Sequence, residues 1–363
     1  MIIKRRFSSW LVGGIWALAA IGAQGGTPSV ADDALLGQGS FNLYFENDLF
    51  AETDQDYTNG IRLSLISPDL DSFEQQFIDN AQVKSLFQWL NPKLSMFHPQ
   101  VPGGSDGPGK SSRRVVISIG QTIYTPETIN ATDLLEDERP YAGWLYLGVA
   151  YHARNRNQLR TVGVNLGVVG PAAWGQETQD LIHDLRGFDK FQGWDNQLEN
   201  EPGIQLVYEH KDKLVNQTRG SALGYDLVSH YGGSLGNIAT YANAGVEVRT
   251  GWRIPDDFGT SSLRPGGDNS APDGESRPGL GFHLFASTDV RLVAQDIFLD
   301  GNTFSDSHSV EKEPLVADLA LGVSFVYDSF KLSFARIIRS KEFKSQQESH
   351  NYGSLSISWN FAI

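Results

Sequence analysis

Cysteine is absent from the 363 residues, so neither a disulfide frame nor a thiolate metal site is available to this chain. Long hydrophobic runs are absent too: beyond the N-terminal segment, no stretch approaches the ~20 apolar residues of a membrane-spanning helix. Basic charge is scarce, with 29 Lys and Arg against 43 Asp and Glu and a formal charge of −14. Nucleic acid is therefore not an expected partner, because its affinity rests on neutralising phosphates with Lys and Arg. A Gly-x-Ser-x-Gly nucleophile elbow is missing, and no internal repeat is visible beyond a succession of short alternating runs.

What is present begins with MIIKRRFSSWLVGGIWALAAIGAQGG. Lys4, Arg5 and Arg6 precede an apolar stretch from about Trp10 to Ala23, the layout of a secretory signal. Residues 1–31 are read as that signal, with cleavage after Ala31 (Ser-Val-Ala) or Ala23; the alternative is an N-terminal anchor. An exported acidic chain without a spanning helix is either soluble beyond the inner membrane or a β-barrel in the outer one.

Period-two alternation separates these two. In LALGVSFVY, Leu319, Leu321, Val323, Phe325 and Tyr327 form one face, and Ala320, Gly322, Ser324 and Val326 the other. SLSISWNF sets Leu355, Ile357, Trp359 and Phe361 against Ser354, Ser356, Ser358 and Asn360, and TVGVNLGVV and ANAGVEVR behave alike. About a dozen such runs occur, many near the ~10 residues a tilted membrane strand requires. Their apolar faces carry essentially no charge, and no second apolar layer is evident. Tyr208, Tyr231, Trp252, Tyr327 and Trp359 recur near run ends, as an interfacial belt would have them. The expected fold is all-β: an antiparallel transmembrane β-barrel of about twelve strands over residues 32–363, with a short helix in an extracellular loop. The connections 68–112 and 252–279 are long; the first is expected to be helical over Phe73–Leu90, the second a flexible loop.

An even strand number sorts the connections by rim. The first, third and fifth (45–58, 125–140 and 170–201) share one rim, and they concentrate the unusual polar residues. The first, FENDLFAETDQDYTNG, carries Asn47, Asp48, Asp54, Asp56 and Thr58; the third carries Glu136, Asp137, Glu138 and Arg139. In the fifth, Gln176 to Arg186 reads as a helix stopped by Gly187. Gln176, Gln179 and His183 share its polar face, leaving Leu181, Ile182 and Leu185 to pack on the barrel. A His on such a face is more often a solvated surface residue than a catalyst. The acidic turn also has a bland explanation, since Asp, Asn and Gly suit tight turns. The spacing Asp54-x-Asp56-x-Thr58-x-Gly60 weakly suggests a calcium loop without the downstream Glu of the full motif.

Four motifs in order, FENDLF…TDQDYTNGIRLS, GQTIYTP, DERPYAGWLYLG and GPAAWGQETQDLIHDLRG, resemble the lipid A 3′-O-deacylase family over residues 39 to 361. The resemblance implies a twelve-stranded barrel in the Gram-negative outer membrane, its active-site rim facing outside. It implies calcium-dependent hydrolysis of the 3′-O-linked acyl (acyloxyacyl) group of lipid A in lipopolysaccharide. Carried over by motif, His183 is the catalytic base, with Asn47, Thr58 and Gln179 in the active site. Asp48 is linked to calcium, and Asp189 stands where the family has Glu. Arg139 lies in a matching Asp/Glu-Arg-aromatic motif. A family Lys has no counterpart between Pro126 and Arg139, so phosphate binding is expected to differ. The expected partners are lipopolysaccharide and outer-membrane lipids, with the chain monomeric. A calcium-dependent outer-membrane phospholipase and a non-enzymatic porin-like barrel are the alternatives.

Overall fold

The computed structural model describes residues 39–47, 56–70, 94–98, 112–217, 223–260 and 279–361. The expected signal segment, the helix expected at Phe73–Leu90 and the span 261–278 lie outside the described residues.

Twelve antiparallel strands form the wall: β1 (Gly39–Asn47), β2 (Asp56–Ile66), β3 (Ser112–Thr125), β4 (Ala142–Arg154), β5 (Gln158–Val169) and β6 (Glu201–Asn216), then β7 (Leu223–Gly236), β8 (Ala239–Trp252), β9 (Leu280–Asp296), β10 (Leu315–Tyr327), β11 (Phe330–Arg339) and β12 (His350–Phe361). Each pairs with its sequence neighbours and β1 pairs with β12, which closes the barrel and leaves no edge. Strands of 9 to 17 residues, at ~3.3 Å per residue and a ~40° tilt, suffice to cross a hydrocarbon layer of about 25 Å. No helix among the described residues is long and apolar enough to cross a membrane; crossing falls to the strands.

The alternation resolves into an inside and an outside. Leu147, Leu166, Leu284, Leu292, Leu321 and Phe334 are 40 to 63% exposed on the outer surface. The residues between them on β4, β5, β9, β10 and β11 point into the lumen. Buried polar side chains fill that lumen, among them Arg62, Asn165, Gln205, Glu209, Arg249 and Ser324. A protein dissolved in water buries its large apolar residues; this one presents them in a continuous outer band, as a lipid-facing barrel must. At the rim that holds Gly39 and Phe361, the outward Trp252, Phe282, Phe325, Tyr327, Phe330 and Trp359 form an aromatic girdle. Within it Phe282 lies 5.2 Å from Phe325, and Phe330 stacks on Trp359 at 5.9 Å.

Described segments enter the lumen from both ends. Near the opposite rim, α2 (Ile297–Asp300; α1 is described below) inserts Phe298, which stacks on Tyr124 at 4.1 Å. From the girdle rim, residues 253–260 turn inward after β8. Asp257 pairs with Arg249 of β8 and with Lys331 of β11 (2.6 Å), and the buried Phe258 sits under Arg154 of β4 and Lys213 of β6. One short segment touching opposite walls crosses the lumen. The flexible loop expected over 252–279 is thus, in its first part, a packed plug: its acid and aromatic groups meet cations that lie far away in sequence. Between cap and plug lies a cavity of about 140 Å³ bordered by Glu46, Asp289, Arg291, Asp318 and Arg339. These charges are matched with one another, Asp318 accepting from both Arg291 and Arg339 at 2.9 Å.

Candidate active site

Alternation places Glu46 in the lumen and its neighbour Asn47 on the outer face at the top of β1. Asn47 pairs with Asn59 of β2, Asn59 with Ile123 of β3, and Ile123 with Gly143 of β4. This row of outward residues sits above the lipid-facing band, yet Asn47, Asn59 and Ile123 are only 2, 4 and 1% exposed. Outward residues this buried must be covered, and the fifth connection is what lies over the adjoining wall.

That connection leaves β5 at Gly170, whose N–H donates to the Gly143 carbonyl at 3.0 Å. It then doubles back over the outside of β4 towards β3. Gln121, outward on β3, donates through Nε2 to the carbonyls of Ala173 (2.6 Å) and Trp174 (3.2 Å). The helix α1 (Gly175–Arg186) starts there, and Gly187 ends it with φ 73°, a left-handed stop that favours glycine. A methyl group added at Gly143 would lie 3.1 Å from the Gly175 backbone, so the helix N-terminus seats directly on the wall. The return strap packs Phe191 and Trp194 against Ile123 and Tyr141.

The helix expected over Gln176–Arg186 is therefore present, but its faces are reversed. Gln179 and His183 are 2% and 1% exposed and lie on the buried face, while Leu181 and Leu185 stand out at 59% and 78%. Gln176 is exposed rather than sharing that burial. Reading the helix with water as its only outer solvent put the leucines against the barrel; the wall instead receives the amide and the imidazole.

His183 is oriented by its own loop. Its Nδ1–H donates to the Asp189 carbonyl at 2.5 Å, which makes Nε2 the nitrogen that carries the lone pair. The rings of Phe188 and Phe191 stand edge-on at 6.0 and 5.8 Å. Gln179 lies one turn before it on the same face, and neither atom of its amide has a hydrogen-bond partner; the same holds for Asn59 Oδ1. A buried polar atom left unpaired costs about 1–3 kcal/mol, so these amides are poised for a ligand or water.

Of the residues singled out in the sequence, the barrel brings Asn47 to the outer top of the wall and the fifth connection brings Gln179 and His183 onto its buried face. Thr58 is the extra residue of a bulge between Tyr57 and Asn59, described here by its backbone alone. Asp48 lies outside the described residues. What Asp189 offers the site is its main-chain carbonyl; its side chain is exposed. Arg139 points away, over the Tyr124 ring and onto Glu342 at 3.3 Å. Burial would raise the Glu342 carboxyl, but Arg339 and Arg139 hold it down at about 2. Arg139 thus ties the third connection to the eleventh across the rim. Two residues were missed, Asn59 and Gln121. Both stand inside motifs already noticed, and strand parity counted from Asn47 or from Ile119 would have put them on the outer face.

Among the described residues no cluster of His, Asp or Glu is arranged to hold a metal. The unpaired amide oxygens of Asn59 and Gln179 are nonetheless oxygen donors of the hard kind that suit a calcium ion.

The sequence model described as outer membrane protein LpxR matches residues 15–361. Among solved structures, LpxR from Salmonella typhimurium is similar with a TM-score of 0.67 at 18% identity, covering 89% of this chain and 100% of that one. The β domain of the Bordetella autotransporter Brka follows with a TM-score of 0.42 at 8% identity, over 90% and 100% of the two chains. No curated protein sequence matches.

Proposed function

The chain belongs to the LpxR family of outer-membrane proteins, the lipid A deacylases, and on that premise we propose that it hydrolyses the 3′-O-linked acyl ester of lipid A with water as nucleophile and His183 as general base. The observation that carries this reading is the pair Gln179 and His183, turned away from solvent onto the outer wall with Nδ1 spent on the Asp189 carbonyl. Nε2 is then the atom that takes a proton from water as the water oxygen bonds to the acyl carbon. The same imidazolium returns the proton to the departing sugar oxygen, so the step balances. Asn47, Gln179 and Thr58 orient water and ester. Asp48 would hold calcium, which when bound would supply positive charge to polarise the reacting ester. Asp189 positions His183 through its carbonyl.

The test is mass spectrometry of lipid A and phospholipids from cells expressing the chain, with and without a chelator. Loss of the 3′-linked acyl group, blocked by chelation and by Asp48→Ala, is the expected result. Acyl loss from phospholipids alone would overturn the substrate and favour a phospholipase.

Gly143 offers a test of the wall contact. Valine there sets its Cβ 3.1 Å from the Gly175 backbone, with two further methyl groups to place against a main chain that cannot yield as a flexible side chain would. Gly143→Val is expected to fold as a heat-modifiable barrel while losing about 10²-fold in hydrolysis, the scale of an ångström-sized misplacement. Full activity would mean that α1 need not seat on the wall.

A further inference from the structure

Among the described residues, none covers the apolar flank of α1. Leu181 and Leu185 are 59% and 78% exposed, and Trp174 just before the helix is 53% exposed. At 100° per residue Leu181 and Leu185 fall within one narrow sector of the helix, and Trp174, the left-handed residue at φ 56°, immediately precedes its first turn. Glu177, Asp180 and Asp184 occupy a different sector, where Lys190 bridges Asp184 at 2.8 Å and Asp180 at 4.0 Å. Gly175, Gln179 and His183 take the third, against the wall. A helix with one polar face buried, one charged flank and one exposed apolar flank is not built for a purely aqueous loop.

Its position supplies the missing solvent. The Trp174 carbonyl accepts from Gln121, and the next outward residue down β3 is Ile119, 38% exposed in the lipid-facing band. Two residues of strand separate them, about 7 Å. Leu147 and Leu166, at 63% and 52% exposure, continue that band on β4 and β5. The apolar flank is therefore continuous with the surface that already faces acyl chains. We infer that α1 lies in the interface of the outer leaflet, its Trp174–Leu181–Leu185 flank immersed in the acyl layer and its acidic flank in the headgroup water, in the manner of an interfacial amphipathic helix. The occupant of this flank is lipid. Arg186, stacked over Phe188 at 5.3 Å, stands at the end of the same helix and can reach the headgroups. The buried face of α1 with Gln179 and His183 then adjoins the acyl layer rather than open water, and an acyl ester reaches it without leaving the leaflet.

The chain has no cysteine, so a single introduced thiol gives a unique label. Leu185→Cys and Asp184→Cys, adjacent in sequence but on different flanks, are labelled with a nitroxide, with Leu147→Cys as the lipid-facing reference. The full chain is placed in vesicles of phosphatidylethanolamine, phosphatidylglycerol and lipopolysaccharide, and each variant is checked for heat-modifiable folding. The expected result is that position 185 matches 147, relaxed by oxygen and shielded from a water-soluble nickel chelate, while 184 is open to the chelate. Equal chelate access at 184 and 185 would overturn the inference. So would spin–spin broadening at 185 that disappears on dilution with unlabelled protein, since the flank would then meet a second copy. These readouts do not depend on catalysis. A kinetic arm does rest on the proposed hydrolysis: Leu181→Gln with Leu185→Gln is expected to lose at least about tenfold on vesicle-borne lipid A and to change little on detergent-dispersed substrate. Equal rates on both substrates for variant and parent would count against immersion.

Discussion

Alanine at position 183 is expected to lower ester hydrolysis by roughly 10²–10⁴-fold, the contribution of a positioned general base, or about 3–5 kcal/mol of barrier. The barrel is expected to assemble unchanged, because α1 rides on the outside of a wall whose twelve ladders close without it. Glutamine at 183 sharpens the test. Its amide N–H is able to donate to the Asp189 carbonyl in place of Nδ1, yet it cannot accept and return a proton. If His183 merely braced the loop, His183→Gln would restore activity; if Nε2 is the base, it is as inactive as alanine. Asp189→Ala probes the other side of the same hydrogen bond. The carbonyl survives that substitution, so a loss below about tenfold is expected. A loss as deep as that of His183→Ala would return a ligand role to the Asp189 carboxylate. Release of the acyl chain, followed by mass spectrometry beside a heat-modifiability gel, reads all three variants.

How far this site was legible in the sequence depends on which solvent the reader assumes. The strands were legible because period two survives in either solvent, and parity within each run already separates Leu319 from Ala320. The stop at Gly187 was legible because a left-handed residue there needs glycine. The orientation of α1 was not. Leu181 and Leu185 look like core residues to anyone who supplies water outside and apolar packing inside, and a membrane removes that premise. Asn59 is within reach of the sequence, since it stands opposite Asn47 in a hairpin and pairing puts both on one face. That the fifth connection folds down the outside of the wall had no local signal. It depends on Gln121 and Gly143, which lie on other strands and act through space.

The same limit hid the plug, and the plug yields the second large effect. Arg249 is fully buried in the lumen, donating to Asp226 at 2.5 and 2.8 Å and also to Asp257, with Glu247 at 3.9 Å. Removing one partner from such a cluster strands the others as uncompensated charges, at about 3–5 kcal/mol. Arg249→Leu leaves three carboxylates facing one another and is expected to unfold at a markedly lower temperature in detergent. Asp257→Ala is the gentler cut: it removes the carboxylate that Arg249 and Lys331 share, while the wall keeps its Arg249–Asp226 pair and Lys331 keeps the Gly259 carbonyl at 3.2 Å. Asp256 still holds the segment to Lys213 and Asn216, and the Thr260 N–H holds it to Glu247 at 2.7 Å, beside Phe258 under Arg154 and Lys213. Asp256→Ala added to Asp257→Ala removes both acidic ties, and in that double variant the segment is expected to swing out of the lumen. In planar bilayers the parent barrel should be nearly silent and the Asp256→Ala, Asp257→Ala double variant should pass ions, with ester hydrolysis little affected, because the plug enters from the girdle rim and α1 sits outside the far one. Steady conductance by the parent would revive the porin reading and remove the plug. A silent, fully stable double variant would mean instead that Phe258 packing and the backbone bonds of Gly259 and Thr260, and not the acidic pairs, keep the segment in the lumen.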